Sequence, residues 1–168
     1  MKKLSISLLM LFVTTCAIAQ SGMCAKIKQL IAEANKKQLQ NEATGAKFQT
    51  ADDFDAWTAS TTLDGALRCY VQDAHVAKMY VAEFGTAPMT GSADPGLAKK
   101  ADQLGSMLKL CLSSNFVYKE VKTSSSVLKG LQFDGRIENK NTRVSLLLIS
   151  NPADKKQLLF ISIINDPD

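Results

Sequence analysis

The sequence predicts an α+β fold in which two helices pack on an antiparallel sheet, and three observations carry that expectation. The stretch 143–164 reads RVSLLLISNPADKKQLLFISII, two dense apolar runs flanking Asn151-Pro152-Ala153-Asp154-Lys155, which is the signature of two strands joined in a hairpin. Apolar residues recur at helical spacing in two other places, Ser21 to Lys37 and Asp94 to Leu112. Each of these helical stretches is followed by short segments of alternating polarity separated by turn formers. The resulting order is helix, three strands, linker, helix, four strands, which belongs to the α+β class whether the halves share one sheet or form two.

The first 19 residues stand outside this fold. Lys2 and Lys3 precede the apolar run Leu4 to Val13, and Ala17-Ile18-Ala19 supplies a small-x-small pattern. This is the layout of a cleaved signal peptide with Gln20 as the mature N-terminus, and the run is too short for a stable membrane anchor. Val13-Thr14-Thr15-Cys16 offers a rival reading as a lipidation site, against which the bulk of Thr15 speaks. Removing 19 of 168 residues leaves 149, enough for one compact domain, and we expect a single domain over 20–168. Its two similar halves, about 21–84 and 94–164, are joined by a linker at 85–93. Units of roughly 70 residues bury little by themselves, so one shared core is favoured.

In the first half, Met23, Ile27, Leu30, Ile31 and Ala34 form the apolar stripe of helix one, with Ser21 as N-cap and Lys36 and Lys37 suiting its C-terminal dipole. Gln38 to Thr50 is polar and reads as helix fraying into a loop, with Phe48 tucked into the core. Trp57 to Leu63 is rich in β-formers and ends at Asp64-Gly65, a hairpin signal. Leu67, Cys69 and Val71 then alternate with Arg68, Tyr70 and Gln72, and a third strand follows from Val76 to Phe84 after the turn Asp73-Ala74-His75.

The stretch from Gly85 to Gly96 holds three Gly and two Pro in twelve residues and reads as the linker. At its end Asp94 is a good N-cap and Pro95 suits the first helical position. Helix two places Leu97, Ala101, Leu104, Leu108 and Cys111 on one stripe, with Asn115 as an expected left-handed cap. Strands follow at Phe116 to Lys122 and Val127 to Ile137, the latter with Asp134-Gly135 as a bulge or turn, before the closing hairpin.

Gly65-Ala66-Leu67-Arg68-Cys69-Tyr70-Val71 ahead of a hairpin, Leu108-Lys109-Leu110-Cys111-Leu112 closing a second helix, and Cys24 near the start of the first carry a resemblance. In these features the chain resembles uncharacterised exported bacterial α+β proteins built from two helix-then-antiparallel-strand halves. Those proteins often carry a further cysteine where this chain has Met79-Tyr80-Val81. The resemblance implies an arrangement and no activity.

Cleavage would leave Cys24, Cys69 and Cys111, and an exported chain meets oxidising conditions, so one disulfide and one odd thiol are expected. Antiparallel helices would bring Cys24, at the start of helix one, to Cys111, at the end of helix two. The rival pairing is Cys69 with Cys111. No pair is spaced as C-x-x-C, which removes the thioredoxin-like and zinc-ribbon readings.

Charge excludes a further class. The formal net charge of +4 falls to +2 once Lys2 and Lys3 leave, and basic residues do not cluster with aromatics, so nucleic acid is not an expected partner. His75 is the only histidine. As a general base it needs an orienting carboxylate and a nucleophile, and Asp73 shares its turn, where polar residues are the ordinary finding. Asp52, Asp53 and Asp55 form an acidic cluster, but a calcium loop wants a tight turn with Gly, which the cluster lacks. Ser124-Ser125-Ser126 reads as a turn; neither G-x-S-x-G nor a phosphate-binding Gly-rich loop occurs in the sequence. No catalytic residue, cofactor or metal ligand is therefore assigned. The expected function is that of an exported, non-enzymatic binding or inhibitor-like protein, in the periplasm or secreted. The alternatives are a periplasmic immunity factor against a toxin and an enzyme whose site the sequence does not reveal.

The closing hairpin carries the one surface expectation. Leu159, Ile161 and Ile163 fill one face of the last strand, and Leu158, Phe160 and Ile164 fill the other, with only Ser162 polar. Val144, Leu146 and Leu148 oppose Leu147 and Ile149 in the strand before it. A sheet with one wet face alternates apolar with polar, so both faces should be covered. One helix on each side would do this within the chain. Otherwise a second copy or a protein partner must, with Leu158, Phe160 and Ile164 as the interface.

Overall fold

The computed structural model describes residues 22–50, 52–74, 77–136, 139 and 141–165. Residues 1–19, expected to form a signal peptide, with Cys16 of the rival lipidation site, the expected Ser21 cap and His75 lie outside these residues. Among the described residues two helices lie on an antiparallel sheet, the class that the alternating segments foretell, with eight strands where they foretell seven. The first half comprises helix α1 (22–35), a 3-10 turn at Leu39–Glu42, and strands β1 (Ala43–Gln49), β2 (Asp55–Ala59), β3 (Arg68–Asp73) and β4 (Lys78–Pro88). The second half comprises helix α2 (Pro95–Leu112) and strands β5 (Phe116–Glu120), β6 (Val127–Gly135), β7 (Thr142–Asn151) and β8 (Lys156–Asn165).

The strand order is β1-β2-β3-β4-β8-β7-β6-β5, so each half is a meander and the last strands of both meet antiparallel in the middle. Two like halves joined through an antiparallel central pair are related by a rotation about the sheet normal. Such a rotation keeps both helices on one face. This overturns the expectation of one helix on each side of the closing hairpin: the stripes of α1 and α2 enter the same core as Leu159, Ile161 and Ile163.

That core holds Ile27 and Leu30 of α1, Leu108 of α2, Tyr80 and Phe84 of β4, Phe133 of β6 and Val144 and Leu148 of β7, each at most 1% exposed. Fully burying a side chain of this kind is worth about 1.5–3 kcal/mol. At the head of α2 the Asp94 carboxylate accepts from the Leu97 amide at 2.9 Å, with Pro95 in the first turn. A Cβ at Gly85 would stand 2.6 Å from Leu97 Cδ2, so the missing side chain there lets α2 settle onto β4.

Several boundaries differ from the sequence expectation. Ala43–Gln49, read as loop, is the edge strand β1, and the first half therefore has four strands. Its pairing with β2 overrides a weak local pattern in which Phe48 is the one large apolar residue. Phe48 does not enter the helix-side core; it packs in a second cluster on the opposite face. β2 starts at Asp55. Asp64-Gly65 does form a tight turn, closed by the Ala66 amide on the Leu63 carbonyl at 3.1 Å with Gly65 at φ 79°. It lies within a longer loop carrying the buried Leu63 and does not join β2 to β3 as a hairpin turn. β4 runs through Gly85 to Pro88, paired as far as Lys156, so the linker proper begins at Met89. The bulge of β6 falls between Val127 and Lys129, away from Asp134-Gly135. Asn115 is not left-handed; among the described non-glycine residues the positive φ values belong to Lys37, Asp53 and Lys155.

Gln157, wholly buried, holds the linker to β8. It accepts from the Asp94 amide at 2.8 Å and donates to Thr90 Oγ1 and the Ser92 carbonyl at 3.0 and 2.7 Å. Cys24 and Cys111 join as a disulfide with Cα atoms 5.7 Å apart, tying the head of α1 to the tail of α2. Cys69 is a buried free thiol beneath the helices.

Candidate functional site: the open face of the sheet

Because both helices occupy one side, no helix among the described residues lies over the other side of the sheet. The registers line its side chains up in four rows across the strands. One row runs Arg68, Glu83, Phe160, Leu147, Gly130; the next runs Thr86, Leu158, Ile149, Val127. On the other side of the first lie Tyr70, Val81, Ser162, Ser145, Gln132 and Lys119 in sequence, and beyond them a row with Met79, Ile164, Arg143 and Asp134.

Leu158, Phe160 and Ile164 therefore share one face with Leu147 and Ile149, as their alternation requires, and all five are half-buried. Toward β1 the side chains bury one another. Ala56, Tyr70 and Val81 are buried and pack with Phe48, Met79 and Phe160. The Phe48 and Tyr70 rings meet edge-on at 5.5 Å.

Charged side chains in these rows form two clusters, one on β3 and β4 and one across β5, β6 and β7, each paired within the face. In the first, Arg68 grips Glu83 with two parallel bonds, Nε to Oε2 at 2.7 Å and Nη2 to Oε1 at 2.6 Å. The guanidinium lies over the Phe48 and Tyr70 rings at 5.7 and 5.2 Å. Its hydrogen bond to Glu83 raises the Arg68 pKa, against the opposing effect of burial, while burial and the adjacent Glu83 push the Tyr70 phenol up. In the second, Asp134 accepts from Gln132 Nε2 at 2.7 Å and Arg143 Nε at 3.0 Å, with Lys119 Nζ 3.0 Å away. Burial pushes the Asp134 carboxyl up, but the bonds from Gln132, Lys119 and Arg143 outweigh it and hold the carboxyl at about 2.

The remaining sequence candidates do not converge on this face. Asp55 pairs with Lys47 at 2.8 Å, and Asp52 and Asp53 are exposed in the β1–β2 loop. Among the described residues no group of His, Cys, Asp and Glu is placed to hold a metal ion. Ser124 closes the β5–β6 connection, its Oγ accepting from the Val127 amide at 3.0 Å. Cys24, Cys69 and Cys111 all lie on the helix side.

Sequence reading missed the Arg68–Glu83 pair. Alternation places Arg68 on a face, but the cross-strand register that joins it to Glu83 at a separation of 15 has no local signal. Clefts on the helix side are small, about 200–250 Å³. The more apolar one, of about 240 Å³, is lined by Met23, Phe84, Leu104 and Met107 at the gap between the helices. No family model matches the chain, nor does any curated protein or solved structure.

Proposed function

We propose that this chain is an exported, non-enzymatic binding protein that acts by laying the open sheet face on another protein. One observation carries the reading: the apolar rows through Leu147, Ile149, Leu158 and Phe160 lie on the face that neither helix covers. Exposed contiguous apolar surface bordered by polar groups is where proteins meet one another. Its Arg and aromatic side chains belong to the residue types that dominate such contacts. The N-terminal charge and hydropathy pattern and the disulfide between Cys24 and Cys111 support export.

The test is retention of a binding partner from the cell envelope by three forms of the protein. The native chain and Leu110→Asp, which alters the 79% exposed residue on the outer side of α2, should retain the same partner. Phe160→Asp, folded by circular dichroism, should lose it. Loss with Leu110→Asp and retention with Phe160→Asp would move the binding surface to the helices and overturn the reading.

A further inference from the structure

We propose that the resting occupant of the open face is a second copy of this chain, the two sheets stacked face to face about a two-fold axis; this rests on the open face being the binding surface. Size argues first. Eight strands at about 4.8 Å spacing, and four rows at about 6.8 Å, bound the footprint at about 1,000 Å², and the row of Thr86, which spans only β4, β8, β7 and β6, brings it closer to about 800 Å². A standard stable interface takes about 800 Å² from each partner, so most of the face must be covered at once. A docked helix is only about 10–12 Å wide and leaves most rows wet. A second sheet of the same dimensions covers them, as the paired layers of β-sandwiches do at about 10 Å separation.

Charge argues next. The pairs Arg68–Glu83 and Arg143–Asp134 neutralise one another within the face, and Lys119 leans on the same Asp134. Lys119, 61% exposed on the edge strand β5, is the one surplus charge in these rows, so a strongly acidic or basic partner would find little unmatched opposite charge there. A like surface, apolar through Leu147, Ile149, Leu158 and Phe160 and with both Arg–carboxylate pairs matched internally, brings only the Lys119 charge at its edge to the contact and can be desolvated over the rest. Closed two-fold contacts require such self-complementarity of one patch.

The sheet edges argue against the other route to a dimer. β1 carries a register irregularity between Ala43 and Lys47, and β5 is five residues long. Bulged and very short edge strands are poor templates for adding a strand. A two-sided apolar hairpin also needs cover from the moment it folds, and a copy of the chain is the one partner present wherever the protein is made.

Sedimentation of the purified protein through a dilution series tests this, with Ile149→Lys, Phe160→Asp and the control Leu110→Asp alongside. The native protein and the control should be dimers that dissociate on dilution. Both face variants should remain folded, with dimer dissociation constants raised at least ~100-fold, the range expected when the centre of an interface is charged. Should Phe160→Asp fail to fold, Ile149→Lys alone decides. A native dimer that survives Ile149→Lys unchanged would place the contact elsewhere and overturn the inference. A protein monomeric at every concentration would also overturn it. In that case, loss of the envelope partner by a folded face variant would leave the binding reading standing, and unaltered retention would remove both.

Discussion

Phe160 and Ile161 are neighbours in one strand and face different surroundings. Ile161 points under the helices with none of its surface exposed, whereas Phe160 points to the open face and is half-buried among its cross-strand neighbours. Both faces of β7 and β8 are rich in apolar side chains, yet the described residues close only one. The difference shows that apolar content states a need for cover, while topology decides which side receives it. Two like halves meeting through β4 and β8 send both helices to the same side, and nothing in the composition of the hairpin reports that choice.

The largest test of the contrast acts on the helix layer. Cys24 and Cys111 are separated by 87 residues, and a cross-link closing a loop of this size is worth about 4–5 kcal/mol in the chain-entropy model. Cys111→Ser should lower urea stability by that order while leaving the register of β7 and β8 intact by amide exchange. Melting of the hairpin together with the helix layer would show that the two are not separable.

A second comparison uses adjacent leucines. Leu159→Ala removes a side chain wholly buried on the helix side and should cost about 2–5 kcal/mol. Leu158→Ala, on the open face, should cost about 1 kcal/mol or less when measured at dilutions where the monomer prevails. Equal losses would show that the open face is as closed as the other.

The ion pair at the rim sharpens the contrast further. Glu83 is 4% exposed, so Arg68→Met would leave its charge desolvated without its bidentate partner and cost about 1–3 kcal/mol. Adding Glu83→Gln should recover much of this in chemical denaturation. No recovery would mean that Arg68 acts through its contacts with Phe48 and Tyr70 instead.

The smallest effect concerns acid. Asp134 is held at about 2, below the ordinary aspartate value near 3.9. Its contribution is therefore present above the unfolded value and is lost as pH falls through the folded one. The stability difference between the native protein and Asp134→Asn should be constant near neutrality and should shrink between about pH 4 and 2. A difference independent of pH across that window would show that Asp134 does not act through its charge.

Much of the sheet was legible because alternation is a local signal. The faces of β3, β7 and β8 follow directly from Arg68/Tyr70, Leu147/Ile149 and Leu158/Phe160 against their neighbours, and Asp94-Pro95 marked the start of α2. β1 was not legible, since Ala43–Gln49 offers one large apolar side chain and is held by pairing with β2. Gly85 to Pro88 has turn composition but stays extended because β8 supplies its hydrogen-bond partners. Arg68 with Glu83, and Asp134 with Lys119 and Arg143, depend on cross-strand register, which only the assembled sheet defines.

The central claim is that the chain leaves the second face of its closing hairpin uncovered, and methyl NMR with a soluble paramagnetic agent tests it most directly. Ile149 and Ile164 report the open face, and Ile161 and Ile163 report the closed one. In dilute solution the methyl signals of Ile149 and Ile164 should broaden while those of Ile161 and Ile163 stay sharp, and the first pair should regain protection as concentration rises. Equal protection of all four isoleucines at the lowest concentration would contradict the account, because the chain itself would then be covering both faces.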